Sequence, residues 1–161
     1  MKKKVVMILV GAFSFSLQAA TLNGTYNGEI TSTDPAIDLT DTGKTDWAYW
    51  SGTPSTGEPT NTKNGGNGMI GSVSPVGDMG LRTSSSDAPA KFSFTDGLSP
   101  TSGAGLKFPS LFNSTLSAGN GVSVDITLPT KEVYTVTFVG AVFNSTAKMT
   151  ATLSGATAYV N

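Results

Sequence analysis

Alternation of apolar and polar side chains with a period of two dominates the chain and predicts β-strands. The clearest run is 122–128, where Val122, Val124, Ile126 and Leu128 alternate with Ser, Asp and Thr. Successive side chains of a strand point to opposite faces, so this run places its aliphatic residues on one face. The same pattern predicts further strands at 28–33, 46–50, 91–95, 133–139 and 148–153, and a weaker one at 69–76 that Pro75 interrupts.

Glycine and proline divide these runs at short intervals, and no segment combines a helical period with capping residues. This rhythm predicts an all-β, antiparallel β-sandwich. Residues 122–128 and 133–139 are separated by a short turn at Pro129, so we expect them to be antiparallel neighbours. The polar segment 51–68 contains nothing able to build a core, and we interpret it as a long surface loop.

The first 20 residues have the pattern of a secretory signal peptide. Three lysines precede an apolar stretch at 5–17, and Ala19-Ala20 ends the segment with small residues. As a helix the apolar stretch rises only about 20 Å, less than the ~30 Å hydrocarbon core of a membrane. We therefore predict a leader at 1–20 and a single β-sandwich domain at 21–161, secreted from a bacterium or held at its surface.

Composition excludes several kinds of chemistry. The chain has no cysteine and no histidine, which removes disulfides, thiolate nucleophiles, histidine-based triads and the commonest zinc ligands. Without the three leader lysines, the chain has seven basic and eleven acidic side chains, which gives a net charge of −4. An anionic partner would be repelled, so we predict no nucleic acid and no membrane contact after leader removal. We also predict no cofactor.

Three segments resemble a known group of modules. Residues 38–50 match the pattern D-L-T-x-x-G-x-x-D-W-x-x-W, residues 92–97 resemble its F-x-W-T-D-G turn, and residues 139–154 are similar to its V-G-x-W-N-S-x-G-K-L-x-A-x-L-S segment. This group comprises secreted bacterial β-sandwich modules of the galactose-binding-like, jelly-roll type, often found beside glycoside hydrolase domains. The resemblance implies a jelly-roll fold and an extracellular polysaccharide setting, and it implies no catalytic residues.

Trp47, Tyr49 and Trp50 form the aromatic cluster that we predict as the ligand-binding site. On a strand, Trp47 and Tyr49 share one face while Asp46 and Trp50 share the other. Aromatic planes can stack on the apolar face of a sugar ring. A buried tryptophan is also common in β-sandwich cores. We expect at least one tryptophan in the core, with Tyr49 or the other tryptophan facing outward.

The acidic residues suggest two other roles, and we predict neither a metal site nor a catalytic residue. Asp34, Asp38, Asp41 and Asp46 lie close in sequence but lack the spacing of a calcium loop. We expect Asp38 and Asp46 to cap turns or accept backbone amides instead. Glycoside hydrolysis needs two carboxylates across a cleft, and the spacing of the acids offers no such pair.

The expected function is therefore that of an exported, non-catalytic module that binds carbohydrate or mediates adhesion. A structural domain of an extracellular matrix without a ligand site is the alternative, and a fragment of a glycan-active enzyme is a third. The final run 156–161 begins like another strand. It is either a short last strand or the sign of a chain that lacks its C-terminal strands.

Overall fold

A computed structural model describes residues 3–7, 13–18, 21–26, 30–31, 33–51, 56–77, 81–113, 118–129, 132–140, 148–154 and 159–160. These residues form thirteen strands and one single-turn helix, which confirms the all-β prediction. The strands are β1 (Lys3–Met7), β2 (Phe13–Gln18), β3 (Thr21–Tyr26), β4 (Ile37–Asp38), β5 (Asp46–Tyr49), β6 (Asn61–Thr62), β7 (Ile70–Val76), β8 (Leu81–Phe94), β9 (Gly103–Asn113), β10 (Gly121–Ile126), β11 (Tyr134–Phe138), β12 (Thr150–Ala151) and β13 (Tyr159–Val160), and the helix is α1 (Leu39–Thr42).

The largest sheet has six strands in the order β3-β2-β11-β1-β5-β6. A three-stranded sheet has the order β4-β8-β9, and β7 with β10 and β12 with β13 form two-stranded sheets. Most pairings are antiparallel. The exceptions are β1, which runs parallel to both of its neighbours, and β4, which runs parallel to β8.

The predicted leader takes part in the largest sheet. Residues Lys3–Met7 lie between β11 and β5, and Phe13–Gln18 lies on the other side of β11. Two of the six strands therefore come from residues 1–20. Removal of the leader at 1–20 remains a prediction.

The segment from α1 into β5 shows how local sequence sets local structure. The side chain of Asp38 accepts a hydrogen bond from the backbone N–H of Asp41 at 3.2 Å and so caps the helix. The N–H of Gly43 closes the turn on the carbonyl of Leu39 at 2.8 Å. A Cβ at Gly43 would lie 2.7 Å from Cβ of Trp47, so glycine lets the chain pass close to the strand that follows.

The core consists of two hydrophobic clusters, one on each face of β5. Ala48 and Trp50 belong to the first cluster, and Trp47 and Tyr49 belong to the second. The other buried members of the first cluster are Met69, Ile70, Val73, Tyr134 and Val136, and those of the second are Leu39, Ala90, Phe92, Phe94 and Val139. Because all four residues of β5 are buried, this strand is covered on both faces.

Several strand predictions change in detail. Strands 122–128 and 133–139 form, but they are not neighbours, because β10 pairs with β7 while β11 pairs with β1 and β2. The weak candidate at 69–76 is a strand, and Pro75 is tolerated because, among the described residues, β7 pairs with β10 alone and is an edge strand. The predicted strand at 28–33 is wrong where it is described, since Ile30 and Thr31 lie outside any strand.

Two further segments differ from expectation. The segment 51–68 is not loop throughout, because Asn61 and Thr62 pair with Tyr49 and Ala48. The predicted strand at 148–153 is reduced to the two residues of β12. Residues 141–147, which carry much of the third matching segment, lie outside the described residues. Within the described ranges, no helix has the length and apolar character needed to cross a membrane.

Candidate functional site

The three predicted ligand-binding aromatics all lie on β5 or directly after it, and all are buried. Trp47, Tyr49 and Trp50 are 0%, 4% and 3% exposed. The expectation that Tyr49 or one tryptophan faces outward is therefore wrong. The strand does divide them as predicted, with Trp47 and Tyr49 in one cluster and Trp50 in the other. Their faces are covered by protein, so they present no open plane to a sugar ring.

Each aromatic side chain has a defined partner within the core. The rings of Trp47 and Phe94 are 4.9 Å apart, and those of Tyr49 and Phe92 are 5.8 Å apart, both in tilted arrangements. The indole N–H of Trp50 donates to the carbonyl of Gly57 at 2.7 Å. Burial is the main reason that the pKa of Tyr49 is raised above its ordinary value, and a hydrogen bond with Ser51 opposes the rise.

Asp96 is the centre of a polar cluster that sequence reasoning missed. Its Oδ1 accepts from Oγ1 of Thr40 at 2.7 Å and from Nε1 of Trp47 at 2.9 Å, and its Oδ2 pairs with Nζ of Lys63. One carboxylate thus joins α1, β5, the turn after β6 and the turn after β8. The matching D-W-x-x-W and T-D-G segments are thereby brought into contact through the Trp47–Asp96 bond.

The Asp96 carboxylate is held ionised by these donors. Partial burial raises its pKa, but hydrogen bonds from Lys63, Thr40 and Trp47, with the positive charge of Lys63, outweigh burial and hold the pKa below its ordinary value. The side chains of Lys63 and Asp96 are 14% and 27% exposed, so solvent screens the ion pair only in part. The cluster therefore orients Trp47 and links distant turns.

Asp46 also links separate segments through hydrogen bonds, on the other face of β5. It is 3% exposed, and its oxygens accept from the backbone N–H of Trp47 at 3.0 Å and of Met69 at 2.7 Å. This confirms the expectation that Asp46 accepts backbone amides. Gly66 lies so close that a Cβ there would collide with Oδ1 of Asp46. The carboxylate thus joins β5 to the start of the segment that enters β7.

Asn61 organises the turn that follows β8. Its Oδ1 accepts from the backbone N–H of Thr62, Leu98 and Ser99 at 2.9, 3.0 and 3.2 Å, and its Nδ2 donates to the carbonyl of Pro100 at 2.8 Å. At 5% exposure it is one of two buried polar residues in the described part of the chain. A single asparagine in a polar segment carries no local pattern that would predict this role, because its partners other than Thr62 lie 37 to 39 residues away.

The acidic residues weighed as calcium ligands are used locally. Asp34 accepts from the backbone N–H and the hydroxyl of Thr31 at 2.6 and 3.1 Å, and Asp38 caps α1 as predicted. Among the residues that the structure describes, no three acidic side chains gather into a group able to hold a metal ion. In the same residues, every buried side-chain nitrogen and oxygen has a hydrogen-bond partner. The described residues therefore leave no buried side-chain nitrogen or oxygen unpaired and available to a ligand.

Comparison with protein-family models, with curated proteins and with solved structures found no match to this chain. The resemblance to galactose-binding-like modules thus stays a prediction. The geometry adds one fact about the first two matching segments, which is that Trp47 of the first contacts Phe94 and Asp96 of the second.

Proposed function

We propose that this protein is an exported, non-catalytic β-module that serves as a structural part of a bacterial extracellular or surface matrix. One observation carries the proposal, namely that the distinctive side chains of the matching segments are turned inward. Trp47, Trp50, Asp46 and Asp96 have internal partners, and those partners connect separate turns and strands. Side chains that bond to partners inside the protein stabilise its fold and are not available to a ligand. A structural module of a matrix requires a stable fold and does not require a ligand-binding pocket.

Carbohydrate binding is the second candidate function. Because Trp47, Tyr49 and Trp50 are buried, a sugar would have to bind at a different surface. The segment 56–68 carries exposed hydroxyl and amide side chains, among them Thr56, Thr60, Asn64 and Asn67. Its backbone is fastened to the core, since Thr60 donates to the carbonyl of Tyr49 at 2.7 Å and Asn64 donates to that of Asp96 at 2.7 Å. A rigid polar ridge can bind sugar hydroxyls without an aromatic platform.

One experiment separates the two candidates. The gene is deleted in the bacterium that encodes it, and the extracellular matrix is assayed for mechanical integrity and for retained protein. We expect the double variant Asn64→Ala/Asn67→Ala to restore the matrix as well as the natural protein does, while Trp47→Ala restores it less well because the folded state is less stable. A double variant that folds, fails to restore the matrix and loses retention on a glycan array would instead support carbohydrate binding.

Two further measurements test the remaining parts of the proposal. Mass spectrometry of the extracellular protein should show an N-terminus that begins after Ala19 or Ala20, because the leader is expected to be removed there. Purified protein incubated with polysaccharides should release no reducing sugar. Retention of residues 1–20 would contradict export by this leader, and release of sugar would support the enzyme alternative.

A further inference from the structure

Residues Lys3–Met7 lie between two strands, β11 and β5, that do not pair with each other. On one side the backbone of β1 is in register with all of β11, from Lys3 opposite Tyr134 to Met7 opposite Phe138. On the other side Val5, Val6 and Met7 lie opposite Asp46, Trp47 and Ala48. Neighbouring strands are about 4.8 Å apart, so β5 and β11 are separated by about twice that distance and cannot pair with each other.

Both strands beside this position carry buried side chains. All four residues of β5 are buried, as are Tyr134 and Val136 of β11. Backbone N–H and C=O groups in such a setting need hydrogen-bond partners, because an unpaired buried group costs free energy. In this chain β1 supplies those partners on both sides.

Removal of the leader would take away β1 and β2 together. Strand β11 would then lose both of its neighbours, and β5 would keep only β6. Two facing edges would be left one strand apart, each with a row of unpaired backbone groups. Open edges of this kind are the usual template for strand addition by another chain.

We propose that, once processed, the protein binds an extended, aliphatic peptide strand of another polypeptide in the position between β5 and β11. This inference rests on the proposed export and leader removal. The strand now seated there defines the partner: five residues, parallel to both neighbours, free of proline, with the consecutive apolar residues Val5, Val6 and Met7. A continuous apolar run is typical of a strand with parallel neighbours on both edges. The lysines of this strand also complement the net charge of −4 that remains after processing.

The test uses the protein that the exporting cell releases and a fluorescent synthetic peptide with the sequence of residues 2–8. Binding is measured by fluorescence anisotropy, and hydrogen exchange locates the contact. We expect saturable binding, with slower exchange of backbone amides at 46–48 and 134–138. A peptide carrying Val6→Pro, which lacks a backbone donor in mid-strand, should bind at least tenfold more weakly. A peptide of reversed sequence should also bind more weakly, because composition alone does not define a parallel strand.

The full chain made in the cytosol, where the leader stays attached, is the matched control. Its own residues 3–7 occupy the position, so we expect at least tenfold weaker peptide binding than for the processed chain. If the released protein is processed but binds no peptide, the inference is overturned while the proposed export stands. If it is dimeric and its 46–48 and 134–138 amides are protected without peptide, a second copy fills the position and the inference is again overturned. If mass spectrometry finds residues 1–20 intact, export by leader removal and this inference both fail.

Discussion

The two faces of β5 are covered in different ways. The second cluster, with Trp47 and Tyr49, contains two aromatic ring pairs and is bordered by the charged Asp96 carboxylate, which accepts from the Trp47 indole. The first cluster, with Ala48 and Trp50, is mainly aliphatic, and its indole donates to a neutral backbone carbonyl. Aliphatic packing provides burial with little direction, whereas an indole held by a carboxylate has one orientation. We therefore expect the second cluster to specify the arrangement of turns and the first to supply volume.

The largest effect should come from removing the centre of the second cluster. Trp47 is fully buried, and Trp47→Ala removes its packing on Phe94 and leaves Asp96 without the indole donor. We expect the free energy of unfolding to fall by about 4 kcal/mol, measured by urea denaturation. Leu98→Ala is the control, because Leu98 is 62% exposed and its loss should change stability by less than about 0.5 kcal/mol. Equal losses for the two variants would contradict the assignment of Trp47 to the core.

A matched pair of substitutions compares the two indoles directly. Trp47→Phe and Trp50→Phe each keep an aromatic ring and remove one N–H donor. The donor lost from Trp47 serves a charged acceptor, and the donor lost from Trp50 serves the carbonyl of Gly57. Hydrogen bonds to charged groups contribute more, so we expect losses of about 3 and about 2 kcal/mol respectively. If thermal and urea denaturation rank the pair in reverse order, the two clusters do not differ as argued.

A smaller effect is expected where Asp46 fastens the first cluster. Gly66→Ala places a Cβ against Oδ1 of Asp46, the residue whose carboxylate holds the N–H of Met69. We expect a loss of about 1.5 kcal/mol, because the carboxylate must shift. Gly121→Ala introduces the same group at a site with no heavy atom within 4 Å and should have little effect. Similar stabilities of the two variants would show that Asp46 can move freely.

The weakest expected effect is a response to acid confined to the second cluster. The pKa of Asp96 is below its ordinary value of about 4, so its ionised form stabilises the folded state. That contribution is fully present above about pH 4 and is lost as the pH falls through the lowered pKa of the folded protein. In the Trp50→Phe background, the fluorescence of Trp47 should report this loss during acid unfolding. Adding Asp96→Asn should remove this component of the pH dependence, and an unchanged acid transition would exclude Asp96 as its source.

Alternation predicted which segments form strands more reliably than which strands are neighbours. Runs at 46–50, 91–95, 122–128 and 133–139 all lie within or overlap observed strands. The same reasoning separated Trp47 from Trp50, because a two-residue period assigns faces without knowledge of the partner. Alternation does not show that both faces of β5 are covered, and this is why the sequence predicts a partly open aromatic cluster where the structure has a buried one.

Polar contacts between residues close in sequence are also predictable, whereas those between distant residues are not. Asp38 and Asp46 were predicted to accept backbone amides, and Asp38 does so within three residues along the chain. Asp96 and Asn61 were missed, because Trp47 lies 49 residues from Asp96 and Leu98 lies 37 residues from Asn61. Neither residue type in isolation indicates which distant donor it will meet.

Local sequence was thus sufficient to predict an all-β chain and the side-chain faces of its clearest strands, since these depend on residues a few positions apart. Pairing order, the burial of Trp47, Tyr49 and Trp50, and the position of Lys3–Met7 between β5 and β11 all arise from the assembled fold. They depend on which segments come together, because a strand edge or an aromatic face is equally able to meet solvent or another strand until the rest of the chain covers it.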